Sequence, residues 1–280
     1  MKIVIVGLGV IGGSFGMALK EAGYEEVFGL DRSQETLNKA LAMGIIRKGS
    51  CRGEELLPQA DLTILAIYPQ DVKRFILENR DLFKPGSLIT DVTGVKTPLV
   101  EALDHLLPAD VDFVPGHPMA GREKKGIDFA SAQVFKGANY LVTPIPGNKE
   151  ENIRKITDLA LSLGFKRVRR ITPADHDEMI AFTSQLPHAL AVALINSDQP
   201  DRETGQFIGD SYRDLTRIAN INGELWSELF LENRQALLTA IENFDLELEK
   251  IRQALLREDK ETLMACFKES SRRREALDVQ

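Results

Sequence analysis

The chain has 280 residues, 43% of them apolar, a net charge of −7 and two cysteines. That content supports one or two packed cores and excludes disorder, while a negative balance whose one basic run is Arg272-Arg273-Arg274 leaves no nucleic-acid footprint. Cys51 and Cys266 lack metal-ligand spacing and fit structural thiols of a reducing cytoplasm; no leader and no apolar run of membrane-spanning length is expected.

The first predicted strand, Ile3–Val6, runs into Gly7-Leu8-Gly9-Val10-Ile11-Gly12, followed by a helical pattern, a second strand and Asp31. This is the order of a dinucleotide-binding fingerprint. One glycine serves the tight turn, the next lets backbone approach a pyrophosphate, and the third lets helix and strand pack closely, with phosphates resting on helix-terminal N–H groups. Asp31 falls about twenty residues beyond the last glycine, where a carboxylate accepts the ribose hydroxyls and repels a 2′-phosphate. NAD is therefore favoured over NADP, a preference that the adjacent Arg32 softens.

Through residue 170 apolar runs alternate with amphipathic segments, the pattern of a Rossmann-type, doubly wound and mostly parallel α/β sheet. The predicted strands are Ile3–Val6, Glu26–Leu30, Leu62–Ile67, Ser87–Asp91, Asp112–Val114, Tyr140–Thr143 and Arg167–Arg170. Thr172-Pro173-Ala174-Asp175 then reads as a helix start: a capping hydroxyl, a proline at the first helical position and a first-turn carboxylate. From there the chain reads as all-helical. The expected division is 1–170 for the nucleotide-binding domain and 171–280 for a helical domain. Phe230, Leu237, Ile241, Phe244, Leu248, Ile251 and Leu255 form one apolar seam on a long helix, suited to burial within the domain and against a second subunit.

Ligands of open parallel sheets collect beyond the carboxyl ends of strands. Ile67-Tyr68-Pro69-Gln70 forms cofactor wall there, Asp91-Val92-Thr93-Gly94-Val95-Lys96 offers a hydroxyl, a carboxylate and an ammonium, and Gly116-His117-Pro118 holds a histidine that its proline forces into extended backbone. The expected cofactor-facing residues are Gly7, Gly9, Val10, Ile11, Gly12, Asp31, Arg32, Tyr68, Pro69 and Thr93. His117 sits at the mouth of this cleft. His105 reads as a surface residue of an amphipathic helix, and His176, between Asp175 and Asp177, as a structural hydrogen-bonding group. His188 follows Pro187, which must kink its helix or open a backbone hydrogen bond and so shapes a pocket. Arg213 and Arg217 lie one helical turn apart beside Asp214, an arrangement that equally suits a solvated face. Trp226 alone reads as a core or interface residue.

In this order and spacing, the GLGVIGGS start, the Asp-Val-Thr-Gly-Val-Lys loop, Gly-His-Pro-Met-Ala-Gly at Gly116, Gln-Leu-Pro-His ending at His188 and Arg-Asp-Leu-Thr-Arg-Ile before Trp226 resemble the prephenate and arogenate dehydrogenases. The resemblance spans almost the whole chain. It implies an N-terminal Rossmann domain, an all-α C-terminal dimerisation domain, a homodimer, and oxidative decarboxylation of prephenate with NAD. Arogenate oxidation to tyrosine is the nearest alternative, and a non-catalytic NAD-sensing protein the alternative of another class. His117 matches the family's catalytic histidine and Arg217 the arginine that binds the ring carboxylate. His188, Glu123, Asp214, Trp226 and Arg213 join the substrate-binding set, with Asp214 and Trp226 near the subunit boundary. Many members carry serine where this chain has Gly94, and Thr93 is the candidate to supply that hydroxyl to His117.

Overall fold

The structure, a computed structural model, describes residues 1–103, 106–121 and 124–277. Among the described residues nine strands form two sheets. The first contains β1 (Ile3–Val6), β2 (Val27–Leu30), β3 (Lys48–Ser50), β4 (Leu62–Leu65), β5 (Leu88–Asp91) and β6 (Asp112–Phe113) in the order β3-β2-β1-β4-β5-β6. All its pairings are parallel. The order reverses at β1 and β4, so their carboxyl ends open the crevice in which ligands of doubly wound sheets bind. Strands β1, β2, β4 and β5 are buried throughout, as the near-continuous apolar runs of a sheet covered on both faces require.

The remaining strands, β7 (Gly116–Pro118), β8 (Asn139–Val142) and β9 (Arg167–Arg170), form a separate small sheet, β7 antiparallel and β9 parallel to β8. The segments expected to extend the main sheet after β6 thus leave it. Strand β3 joins the main sheet although Lys48-Gly49-Ser50 has no apolar run, because an edge strand needs only its backbone to pair with Phe28–Leu30.

Helices α1 (Val10–Glu21), α2 (Gln34–Ala42), α3 (Pro69–Asn79), α4 (Thr97–Leu103) and α5 (Glu150–Ser162) cover the sheets. One core gathers Ile3, Ile5, Phe15, Leu19, Phe135 and Tyr140 around α1, and a second gathers Val4, Val6, Leu65, Val72 and Ile76 on the opposite face. After β9 come only helices: α6 (Pro173–Ile180), α7 (Leu186–Asn196), α8 (Asp210–Thr216), α9 (Gly223–Glu232), α10 (Arg234–Leu256) and α11 (Lys260–Leu277). Thr172 caps α6 by accepting the Asp175 N–H at 3.1 Å, with Pro173 in the first turn.

By contacts the chain divides into two compact units, Met1–Asn233 and Arg234–Gln280. The fold class changes after β9, but the contact division falls later because α6 is bonded to the strand-rich part. The long apolar helix expected from Phe230 to Leu255 is interrupted at Asn233, whose buried amide donates to Asp177 O and Gln185 Oε1, both at 2.8 Å. Phe230 therefore lies on α9 and the rest of the seam on α10. In the second unit α10 packs along α11, which Asp259 caps by accepting the Thr262 N–H at 2.9 Å.

The helical run Pro173–Asn196 corrects another expectation: with 24 residues and a mean hydropathy of 1.3 it is long and apolar enough to cross a membrane by length and composition alone. Its charges cluster in the first turns, and from Met179 to Ile195 no Asp, Glu, Lys or Arg occurs. Only 28% of its most apolar window is buried, which leaves Met179, Phe182, Leu194 and Ile195 on the surface.

Candidate active site

The loop after β1 is built by backbone geometry. Gly7 has φ +84°, in the left-handed region that favours glycine, and a Cβ on Gly12 would lie 1.8 Å from Gly7 O. Around a Cβ on Gly9 there is nothing within 4 Å. Gly9 is also the N-cap of α1 and provides no side-chain cap, which leaves the first-turn N–H groups of α1 for an anion. Asp31, at the end of β2, accepts the Leu8 N–H through Oδ2 at 2.7 Å and the Ser33 N–H through Oδ1 at 2.8 Å. The open backbone at Gly9, the contact at Gly12 and the half-buried carboxylate together fit a dinucleotide. Arg32 is exposed beside them. Tyr68 immediately precedes α3, Pro69 is buried in its first turn, and Tyr68 Oη accepts the Asn222 amide at 3.1 Å.

The loop after β5 does not offer its polar groups as expected. Asp91 and Lys96 are fully buried and form an ion pair with each other. Asp91 also accepts the Thr93 N–H at 2.9 Å, the Thr93 hydroxyl and the Gly116 N–H at 3.2 Å. The Thr93 hydroxyl is committed to Asp91, Val95 O and the Lys96 ammonium, so it does not orient His117. Burial pushes the Lys96 pKa down, against the pull of Asp91.

His117, on β7 rather than in a loop, is held extended by pairing with Leu141 of β8 and by the proline that follows. Its Nδ1 lies 2.9 Å from His176 Nε2, and His176 Nδ1 lies 2.7 Å from Asp177 Oδ1. His176 is fully buried. Asp177 accepts the N–H groups of Lys96 at 2.8 Å and Thr97 at 2.7 Å. Burial would raise its carboxyl, but the bonds from His176 and Thr97 prevail and hold it below its ordinary value. Burial, then the neighbouring His176 and Lys96, push the His117 pKa well below 6.5. His176 is lowered by burial too, against the pull of Asp177. Both shifts favour the neutral imidazole.

On the helical side, a π-turn at Ala181–Gln185 precedes Pro187 and absorbs the backbone mismatch expected of that proline. His188, in the first turn of α7, donates from Nδ1 to Ser184 O at 2.8 Å and stacks on Trp226 of α9 with ring centroids 3.7 Å apart. Trp226 also meets Phe230 edge-on at 5.7 Å. One turn beyond Trp226, Leu229 Cδ2 would lie 3.3 Å from a Cβ on Gly94, and His117 Nε2 would lie 3.8 Å from that same position. Helix α9 thereby links the His188 stack to the His117 edge. Arg217 begins the short turn Arg217–Ala219, which packs on α7. Arg217, Arg213 and Asp214 are exposed, and Arg213 pairs with Asp210 at 3.0 Å.

Residues 15–168 match the model of the prephenate dehydrogenase nucleotide-binding domain and residues 172–269 that of the prephenate dehydrogenase dimerization domain. The chain belongs to the prephenate/arogenate dehydrogenase family. It is 33% identical over 288 residues to the prephenate dehydrogenase of Lactococcus lactis, covering 99% of this chain and 78% of the relative. Among solved structures it resembles prephenate dehydrogenase from Aquifex aeolicus in complex with hydroxyphenyl propionate and NAD+, with a TM-score of 0.90, 29% identity and coverage of 99% and 98%. Arogenate dehydrogenase from Synechocystis gives a TM-score of 0.84 at 28% identity, covering 99% of this chain and all of that one.

Within this family frame, the compact unit that holds His117 also holds the glycine loop, Asp31, Tyr68, His188, Arg217 and Trp226. Glu123 and His105 lie outside the described residues. Sequence reasoning missed His176 as the partner of His117 and Asp177 as the group behind His176, since it reads His176 as a structural group alone. It also missed Asn222 and Leu229, which have no distinguishing pattern. The alternation Asp175-His176-Asp177 was a usable signal, since one helix turn presented a carboxylate and an imidazole together.

Proposed function

We infer that the protein oxidises prephenate with NAD to 4-hydroxyphenylpyruvate, carbon dioxide and NADH, acting as a homodimer. The observation that carries this reading is His117, held extended on β7 with Nδ1 against His176, in the same compact unit as a glycine loop and the Asp31 carboxylate bonded to it. Similarity to an enzyme solved with NAD+ and hydroxyphenyl propionate supports it, and the match to a dimerization-domain model supports the homodimer.

Bound NAD would supply the hydride acceptor, held by the Gly7–Gly12 loop and Asp31, with Tyr68 and Pro69 as wall. His117 Nε2 takes the proton of the substrate's C4 hydroxyl as the C4–H bond breaks and its electron pair leaves as hydride. The bond from the ring to its carboxylate then breaks, its electron pair enters the ring and carbon dioxide departs. The phenolate oxygen recovers the proton from His117, so no net proton is released. Arg217 offers a planar fork for a substrate carboxylate, a geometry that lysine lacks. His188, with its Trp226 backing, Arg213 and Asp214 complete the substrate-binding proposal.

Initial rates with prephenate and arogenate, each with NAD and with NADP, test this reading. Turnover of prephenate with NAD well above the other three combinations is expected. A clear preference for arogenate would move the chain to the second reading, which similarity to the Synechocystis enzyme favours. NADH binding without turnover of either substrate would leave a nucleotide-sensing protein.

A further inference from the structure

The path from His117 to Asp177 crosses from the small sheet to the first helix of the all-helical part, and each link has hydrogen-bond geometry. Asp177 accepts two backbone N–H groups from Lys96 and Thr97, which leaves it only an acceptor's role toward His176. A carboxylate acceptor requires the His176 proton on Nδ1. In a neutral ring Nε2 is then a lone pair. The contact between His176 Nε2 and His117 Nδ1 at 2.9 Å therefore requires the His117 proton on Nδ1, and Nε2 of His117 is left as the basic nitrogen. No hydroxyl from Thr93 competes for the ring, and Gly94 brings none.

We propose that His176, backed by Asp177, is a positioning residue that fixes His117 as the Nδ1–H tautomer and so keeps Nε2 available to take the substrate's proton. The pair neither touches substrate nor receives the proton. It acts by excluding the ring orientation and tautomer that would present an N–H where a base is needed, the logic by which a carboxylate holds the histidine of a serine-protease triad. Four further groups frame the pair: Asp91 at the end of β5, Lys96 from the loop after it, Tyr140 of β8 through its contact with Gly116, and the amide of Asn233, which donates to Asp177 O. Asn233 in turn is held by Gln185 of the π-turn. The inference rests on the reading of His117 as the base.

The test combines nitrogen-15 NMR with kinetics. With only four histidines in the chain, selective labelling and a His117→Asn variant assign the His117 ring. At neutral pH the intact enzyme should carry its proton on Nδ1, with Nε2 unprotonated. In His176→Phe the ring should shift toward the Nε2–H form, and kcat should fall about tenfold or more with KM for prephenate little changed. His176→Gln, whose amide oxygen can accept from Nδ1–H, should recover part of that loss. A wild-type spectrum with the proton on Nε2 overturns the proposal, as does a His176→Phe enzyme with wild-type kcat and pH profile. If His176→Phe does not fold, the wild-type spectrum decides alone. An Nδ1–H ring in a protein that oxidises neither substrate would refute the proposed function and its catalytic use of the ring, while upholding the tautomer that His176 fixes.

Discussion

Leu8 donates its backbone N–H to Asp31 Oδ2 at 2.7 Å, so the glycine loop and the carboxylate at the end of β2 are one hydrogen-bonded unit. Each carboxylate oxygen accepts one protein N–H and retains a lone pair for a ribose hydroxyl. Asp31→Asn keeps the shape but removes the charge, and charge-assisted hydrogen bonds contribute about 1.5–3 kcal/mol each. KM for NAD should rise about tenfold or more while the disadvantage of NADP shrinks, read from initial rates with both nucleotides. An unchanged NAD to NADP ratio would remove Asp31 from ribose recognition.

Two glycines of the same loop should differ in stability when a methyl is added. A methyl group at Gly9 meets nothing in the protein, whereas one at Gly12 would lie 1.8 Å from Gly7 O. Gly9→Ala should melt like the parent yet bind NAD weakly, because the methyl would fill the open space that the proposed cofactor site offers to a pyrophosphate. Gly12→Ala should lose both stability and binding. Thermal melting paired with NADH fluorescence titration distinguishes them.

The depressed pKa of His117 moves the acid limb of activity. With the group held well below 6.5 by burial and by His176 and Lys96, kcat should stay level through neutrality and fall only at a distinctly lower pH. His176 is lowered as well. Between 6.5 and the folded values the unfolded chain binds more protons than the native one, so stability should decline as pH falls through that window. Melting temperature against pH, compared with a His176→Phe variant, checks the sign.

Asp91 and Lys96 form a wholly buried pair, and removing one partner of such a pair strands the other's charge. Lys96→Met should destabilise the protein by about 3–5 kcal/mol. Adding Asp91→Asn should restore part of that loss, as urea unfolding of the single and double variants would reveal. A fully stable single variant would mean that Asp91 is satisfied by Thr93 and Gly116 alone.

The parts that were legible in sequence are those fixed by local backbone chemistry. The turn at Gly7, the tight approach at Gly12 and the capped start at Thr172 follow from residues a few positions apart. The parts that were not legible depend on distant partners. Lys48–Ser50 becomes a strand only because β2 offers it an edge, and Gly116–Pro118 only because Tyr140–Val142 pairs with it. The helix break at Asn233 is set by acceptors at Asp177 and Gln185, far away in sequence. His176 read as a cap-region histidine because its partner His117 is 59 positions away. The burial of Thr93 against Asp91 and Lys96 is likewise a property of the folded loop and leaves no mark in the local sequence.

The wide turn at Ala181–Gln185 sets the angular phase of everything that follows it on the helix. Each residue advances an α-helix by about 100°, so excising a single position there would swing the His188 imidazole away from the indole it lies upon. Chain length in this turn, more than the chemical character of its side chains, governs where that ring faces.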